Sequence, residues 1–391
     1  MVLRLRPIRR VVIAATLVSA FYLITAYTNF PGLSYMRDLW IETAMTTGDH
    51  QWLANIFPQS VIEETMSDQV YEFDGIAGVE ESSQAEFIPA FFQDGPFFGM
   101  SEQEIQQSAE AILEEQRIEE EQRRREEEEA RIRAYWEEGD PLRQQEAAKN
   151  GVDQTGRKVL YNDIDQGVMI SLVSTPMYTG RIVQVCDPSR VIIASTDNKG
   201  VQGKLICDYL SDYNAILGVN ASGFADYNGN GMGGEIIGRT RSQGVDWGNQ
   251  MYESITVGFT QDDKLIAGII DNWDYYGLRD AIQFGPVLIK DGKILTEGTA
   301  GWGLQPRTIV AQRADGAVLF FVVDGRKPGY SIGATMGDCA EVLLEYDAVT
   351  AAACDGGSSS VLAYSGQIIN DPSTPMTTGR YLPNAFLVLK R

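Results

Sequence analysis

Short apolar segments separated by glycine-rich turns dominate the chain from about residue 150 to its C-terminus. Many are rich in Val and Ile, which is typical of β-strands. The predicted strand regions are 167–174, 181–187, 190–195, 254–260, 264–270, 282–294 and 317–327. Helical patterns are fewer and fall at 203–214 and 335–346. The pattern therefore predicts one α+β domain over 150–391, a β-rich mixed sheet with a few packed helices.

The N-terminus has a different pattern. Four arginines lie within positions 1–10, and an uncharged, mostly apolar stretch follows at 11–30. That length suits a membrane-spanning helix, and basic residues in front of it favour a cytoplasmic N-terminus. The sequence predicts a signal anchor and a single-pass cell-membrane protein whose C-terminal domain is extracytoplasmic. A cleaved signal peptide stays open as the alternative, because its basic start looks the same.

The region between this anchor and the β-rich domain reads as helical. Segment 31–100 contains short apolar stretches that predict an extracytoplasmic helical stalk. Segment 101–149 is rich in Glu and Arg, with acid-first pairs four residues apart such as Glu119–Arg123 and Glu127–Arg131, a spacing that stabilises helices. It predicts a charged helical spacer, with a partner-binding helix as the alternative.

Composition excludes several kinds of chemistry. A formal net charge of −22 argues against a nucleic-acid partner, because phosphate backbones are bound by clustered Lys and Arg. The single histidine, His50, lies far from the β-rich domain, which argues against a Ser-His-Asp hydrolase and against a zinc site. Four cysteines permit disulfides, although buried free thiols are favoured: Cys186, Cys207, Cys339 and Cys354.

The segment AAACDGGSSSVLAY at 351–364 is the most suggestive for function. It reads as a buried strand that enters a tight loop and then a second strand. Asp355 would lie at the exit of the first strand, where loops on a rigid scaffold often carry sites. The loop alone leaves open whether Asp355 is a general acid, a metal ligand or a turn residue. With no histidine nearby, chemistry here would use carboxylates, arginines and backbone amides.

Six motifs between 218 and 388 occur in an order that resembles the phosphodiester glycosidase family. They are GVNASGF (218–224), FGPVLIKDGK (284–293), QPRTIVAQ (305–312), VVDGR (322–326), the stretch 333–360, and TTGRYLPNAFLV (377–388). The resemblance implies a hydrolase that removes a sugar from a sugar-1-phosphodiester of a cell-surface polymer or glycan, with no required cofactor. A phosphodiesterase that cleaves the P–O bond stays open, as does a non-catalytic, surface-anchored glycan-binding or scaffold protein.

The resemblance also implies site residues. The catalytic set is Asp355, Asp324 and Arg307. The substrate and phosphate contacts are Arg380, Gly356, Gly357, Ser358 and Asn220. These residue types suit the chemistry, because guanidinium groups grip phosphate, glycine amides form anion nests, and a carboxylate stabilises positive charge on the sugar. The structural alternatives are turns at Asp355 and Asp324 and an ion pair at Arg307.

A second loop has partial calcium-loop spacing. Asp226, Asn228, Asn230 and Gly231 match positions one, three, five and six of such a loop. The twelfth position is Ile237 where a bidentate Glu is needed. A glycine-rich active-site loop is therefore favoured here, with bound Ca²⁺ as the alternative.

Overall fold

The structure is a computed structural model that describes residues 32–45, 51–67, 140–226 and 231–391, together with the single positions 26 and 123. Its α-helices are α1 (Leu33–Met45), α2 (Gln59–Ser67), α3 (Asp140–Asn150), α4 (Ile206–Asp212) and α5 (Met336–Glu345). Short 3₁₀ turns occupy Gln51–Ile56, Pro188–Arg190 and Gly357–Ser359. α5 begins at a capping box, in which Thr335 and Asp338 each accept the other's backbone N–H.

Eighteen strands form three sheets within the described ranges. The first sheet has the order β1-β2-β3-β14-β13-β15-β11-β12, with β1 (Val159–Asp163), β2 (Val168–Ser174), β3 (Thr179–Val185), β11 (Val287–Lys290), β12 (Lys293–Ile294), β13 (Arg307–Arg313), β14 (Val318–Val323) and β15 (Ala348–Ala353). The second has the order β7-β6-β10-β8-β9, with β6 (Arg239–Ser242), β7 (Val245–Gly248), β8 (Ile255–Thr260), β9 (Leu265–Ile269) and β10 (Leu278–Gln283). The third has the order β17-β16-β5-β18-β4, with β4 (Val191–Ser195), β5 (Ala215–Asn220), β16 (Leu362–Tyr364), β17 (Gln367–Ile368) and β18 (Asn384–Leu389).

The core is layered around these sheets. One cluster of fully buried side chains draws on all three sheets and includes Val310, Phe320 and Phe386. A second cluster fills the space between the first sheet and α5, and a third lies between the third sheet and α4. Central strands such as β14 and β5 are buried along their whole length, which explains their nearly continuous apolar runs. β13 is equally buried but carries polar residues near both ends.

The α+β class and most predicted strands agree with this architecture, but the mixed sheet was wrong. Every ladder recorded between the strands in the described ranges is antiparallel. Hairpins connect several consecutive strands, such as β2 with β3 and β13 with β14, as antiparallel pairing allows. The chain therefore builds a large β-domain with few helices.

Helices that the sequence assigned to a stalk and a spacer pack on the β-domain. The described residues of 32–67 and 140–391 belong to one compact unit. α3 contacts β1 and the residue that follows β3: Asn162 Nδ2 donates to Gln144 O at 2.7 Å, and Gln144 Nε2 donates to Cys186 Sγ at 3.6 Å. The packed domain therefore begins before residue 150. α1 contacts the loop before β13, where Leu304 N–H donates to Thr43 Oγ1 at 2.9 Å.

The membrane anchor lies outside the described residues, apart from position 26. The described helices contain no segment that is long and apolar enough to cross a membrane. Most of the charged spacer, 101–139, is also outside the described residues, apart from position 123. Both assignments stay predictions.

Candidate active site

The loop after β15 presents Asp355 at the strand exit, as the sequence predicts. β15 lies between β13 and β11, and Asp355 N–H donates to Ala221 O at 2.9 Å, which fixes the loop beside β5. The Asp355 side chain is half-buried. Burial raises its pKa to about 6, although the hydrogen bond from Ser359 and the charge of Arg380 act in the opposite direction. Asp355 is thus a carboxylate that titrates close to neutral pH.

Asn220 fixes the backbone of this loop through hydrogen bonds. Its Nδ2 donates to Asp355 O at 2.6 Å, and its Oδ1 accepts from Thr308 Oγ1 at 2.7 Å and Val361 N–H at 3.1 Å. The residue is fully buried. The substrate contact predicted for Asn220 is therefore replaced by a positioning role, because its amide lies beneath the loop and is already hydrogen-bonded on both atoms.

Arg380 brings together the Gly356–Ser358 loop, Asp226 and Gly231. Its Nη1 donates to Ser358 Oγ at 3.0 Å and to Asp226 Oδ2 at 2.5 Å, and its Nη2 donates to Gly231 O at 3.0 Å. The guanidinium also lies over the Phe224 ring, 4.7 Å from the centroid. The predicted residues Arg380 and Ser358 are therefore in direct contact beside Asp355.

Asp226 belongs to this cluster as the partner of Arg380. Burial opposes its charged form, but hydrogen bonds from Arg380 and from Gly231 N–H hold its pKa below the ordinary value. The negative charge of Asp226 also helps to raise the pKa of Asp355. The calcium alternative stays a prediction, since Asn228 and Asn230 lie outside the described residues. No group of three or more Cys, His, Asp or Glu among the described residues has metal-binding geometry.

Arg326 is the second arginine at the loop, and the sequence did not select it. Its guanidinium lies beside Gly357, since a Cβ built on Gly357 would be 3.1 Å from Arg326 Nη2. Gly357 has φ +59°, a left-handed conformation that favours glycine. Gly356 is equally confined, because a Cβ there would lie 2.9 Å from Pro306 O. Arg326 is the last residue of the VVDGR motif, of which the resemblance implied only Asp324 as a site residue.

Arg307 directs its described hydrogen bonds to backbone carbonyls of other segments. It is 3 % exposed, and its guanidinium donates to three backbone oxygens: Ala334 O at 3.0 Å, Trp302 O at 3.0 Å and Gly303 O at 2.7 Å. A buried cation that satisfies three carbonyls stabilises the surrounding loops. The catalytic role predicted for Arg307 is not supported by this geometry, and the structural alternative is the better description.

Asp324 is also a structural hub in this conformation. It is 1 % exposed and forms an ion pair with Arg181. Its carboxylate further accepts from Tyr330 Oη at 2.8 Å, Asn370 Nδ2 at 3.1 Å and Asp371 N–H at 2.9 Å. Both oxygens are thus occupied, so proton transfer by Asp324 is not supported by its surroundings. It joins the end of β14 to the loop that follows β17.

The four cysteines are free, in agreement with the favoured alternative. Cys354 precedes Asp355 but is fully buried, and burial together with the charge of Asp355 raises its thiol pKa. Burial also raises the pKa of Cys339, to about 12. Neither group forms a thiolate near neutral pH, so the loop carries no cysteine nucleophile.

Taken together, the fold and the loop define a β-rich domain with a carboxylate and two arginines grouped around a glycine-rich strand exit. Residues 213–389 match the family model described as phosphodiester glycosidase. The match agrees with the family resemblance that the motifs carry over this part of the chain.

Two kinds of relative are similar to the chain. The SPbeta prophage-derived uncharacterized protein YomE of Bacillus subtilis is 30% identical over 167 residues, which are 41% of this chain and 26% of that protein. The chain thus spans about a quarter of the length of this curated relative. The catalytic domain of zebrafish N-acetylglucosamine-1-phosphodiester alpha-N-acetylglucosaminidase has a TM-score of 0.48 at 19% identity, over 57% of this chain and 82% of that one. A hypothetical protein from Synechocystis has a TM-score of 0.49 at 14% identity, over 60% and 64% of the two chains.

Proposed function

We propose that the protein is a glycosidase-type hydrolase that removes a sugar from a sugar-1-phosphodiester of a cell-surface polymer or glycan. The environment of Asp355 carries this proposal: a half-buried carboxylate at a strand exit, with a pKa raised to about 6 and an arginine beside it. The family match over 213–389 supports the reaction class. Perturbed carboxylates next to a cationic anchor are typical of catalytic sites.

In this proposal the two arginines meet the phosphate. Arg380 touches Ser358, and Arg326 lies beside Gly357, so two guanidinium groups flank adjacent residues of one loop. Arg380 uses three of its five N–H donors on the described acceptors. Positive charge on both sides of the loop stabilises the phosphate as it leaves with the bonding electrons.

Asp355 supplies the proton chemistry. Water attacks C1 of the sugar, the C1–O bond breaks, and both electrons stay on the phosphate oxygen. The proton of the attacking water passes to ionised Asp355, and the products are a free sugar and a phosphomonoester. With a pKa of about 6 the carboxylate is mostly ionised at neutral pH, which suits a general base. A phosphate leaving group needs little acid assistance, so one carboxylate and two arginines are sufficient.

Release of free sugar from a UDP-sugar by the full-length protein tests this proposal. Asp355→Asn should lower kcat by about a hundredfold or more, because the amide cannot accept the proton. Asp291→Asn in the exposed β11–β12 turn is the matched control and should leave kcat unchanged. Wild-type turnover by folded Asp355→Asn contradicts the proposal.

The bond that breaks is tested by hydrolysis in oxygen-18 water. Cleavage of C1–O puts the label in the released sugar. Label in the phosphate instead means P–O cleavage, which makes the protein a phosphodiesterase and overturns the glycosidase assignment. If no substrate is turned over while the protein is folded, the non-catalytic alternative replaces both.

We also propose that the domain lies outside the cytoplasmic membrane, held by the segment 11–30. The basic residues before that segment are the reason. A reporter enzyme that works only outside the cytoplasm, fused after Arg391, should be active in cells. If that fusion is inactive and a fused reporter enzyme that works only in the cytoplasm is active instead, this localisation is wrong.

A further inference from the structure

α1 contacts the loop before β13 closely, although more than 250 residues separate them in sequence. Thr43 Oγ1 accepts the N–H of Leu304 at 2.9 Å, and Gln305 Nε2 donates to Thr43 O at 3.2 Å. A Cβ built on Gly303 would lie 2.5 Å from Thr43 N, so no side chain fits there. The helix therefore packs directly on the backbone of 303–305.

The same short segment contacts the candidate site on its other side. Gln305 Oε1 accepts from Arg326 Nε at 3.0 Å and from Arg326 Nη2 at 2.8 Å. The next residue, Pro306, accepts the N–H of Gly357 at 2.9 Å. Gln305 is only 4 % exposed, which leaves its amide little freedom to turn. Residues 305 and 306 thus touch both the arginine and the glycine that border Asp355.

Arg326 depends on such support more than an ordinary surface arginine. Its side chain is long and the residue is exposed, and its backbone has φ +59°, an uncommon conformation for a residue with a Cβ. Its backbone N–H is fixed by Ile332 O at 2.9 Å. Two hydrogen bonds to Gln305 restrain the direction of the guanidinium, because a planar fork with two bonds to one oxygen has little rotational freedom.

We propose that Thr43 and Gln305 form a positioning relay through which α1 orients Arg326 toward the phosphate of the substrate. This inference rests on the proposed function, since it assumes an anion between Arg326 and the Gly356–Ser358 loop. Thr43 fixes the carboxamide of Gln305 from the helix side, and that carboxamide orients the guanidinium. The N-terminal helix is in this way a component of the site, in addition to the stalk role predicted from sequence.

Affinity for inorganic phosphate is the readout, because it reports on the arginine without requiring turnover. Gln305→Met in the full-length protein should weaken phosphate binding about tenfold, the loss expected from one charge-assisted hydrogen bond. Thr43→Val keeps the side-chain shape and the backbone oxygen that accepts from Gln305, but removes the Oγ1 acceptor of the Leu304 N–H. It should weaken phosphate binding about threefold by loosening the segment that carries Gln305, since a neutral hydrogen bond contributes less. Met36→Ala on an exposed part of the same helix is the control and should bind phosphate like wild type.

A double-mutant cycle separates a relay from a general loss of structure. If Gln305 acts through Arg326, then Gln305→Met combined with Arg326→Met should bind phosphate no more weakly than Arg326→Met alone. Additive losses overturn the inference, as does wild-type affinity in folded Gln305→Met. If Gln305→Met fails to fold, Thr43→Val carries the same cycle with Arg326→Met.

Failure of the relay can be distinguished from failure of the proposed hydrolase activity. A non-additive cycle in a protein that releases no sugar supports the relay and contradicts the hydrolase. Sugar release with unchanged phosphate affinity in the Gln305 and Thr43 variants supports the hydrolase and overturns the relay. Stronger phosphate binding in Thr43→Val also overturns the relay, because α1 would then restrain the site.

Discussion

Replacing the carboxylate of Asp355 by an amide should stabilise the protein at neutral pH while it removes activity. Burial raises the pKa of Asp355 from 3.8 to about 6. A raised pKa in the folded state means that the folded protein holds this proton more tightly than the unfolded chain. The stabilisation from that proton is complete below pH 3.8, falls between the two pKa values and is lost above pH 6.

The magnitude follows from the two pKa values. The difference of about two pKa units, at about 1.4 kcal/mol each, gives a cost of about 3 kcal/mol for the charged form at neutral pH. The side chain is half-buried, so solvent screening makes this an upper value. Asn keeps an oxygen that can accept from Ser359 but carries no charge. Asp355→Asn should therefore raise the free energy of unfolding by about 1–3 kcal/mol at about pH 7.5.

Urea unfolding of wild type, Asp355→Asn and the control Asp291→Asn measures this effect at two pH values. The gain from Asp355→Asn should shrink to about half near pH 5, because wild-type Asp355 is then largely protonated in the folded state. The control should show no pH-dependent gain. A variant that is less stable than wild type by the same amount at both pH values refutes the reasoning, since the charged carboxylate would then be held by favourable contacts.

Two further substitutions test the structural roles of the buried charges. Arg307→Ala should lower the free energy of unfolding by about 2–5 kcal/mol in urea titrations, because three buried carbonyls lose their donor; an unchanged urea midpoint contradicts the buried geometry. Asp324→Asn leaves Arg181 without its counter-charge and should cost about 3–5 kcal/mol, and changing Arg181→Met as well should recover part of the loss. Failure of the double variant to recover stability contradicts the ion pair as the main contribution of Asp324.

The position of Asp355 could be predicted from sequence because few backbone conformations fit the segment 351–364. An apolar run that ends in Asp-Gly-Gly-Ser must leave the core there, and the two glycines fit only a closely packed turn. The structure agrees, since a Cβ on Gly356 would lie 2.9 Å from Pro306 O and Gly357 has φ +59°. The helix at 335–346 was predictable for the same reason, because neighbouring residues specify it, whereas the antiparallel pairing of every ladder was not predicted.

The choice between arginines could not be made in this way. Arg307 opens strand β13, and the strand places its guanidinium among the carbonyls of Trp302, Gly303 and Ala334. Those carbonyls come from a loop and a distant segment, whose approach no local pattern encodes. Arg326 follows a Gly and adopts φ +59°, which turns its side chain toward Gly357. The contact between α1 and Gln305 is equally non-local, so the sequence indicated only a stalk.

The number of hydrogen-bond donors around each carboxylate explains why one aspartate is suited to catalysis and another to structure. Asp324 is nearly inaccessible and accepts from Arg181, Tyr330, Asn370 and Asp371. Such full compensation holds a charge in place and leaves no oxygen for a substrate. Asp355 has the hydroxyl of Ser359 and a nearby amide as its donors, with Arg380 at a distance that lowers its pKa only in part. Its charge is incompletely compensated, so it titrates near neutral pH, costs stability when ionised and can exchange a proton with water at C1.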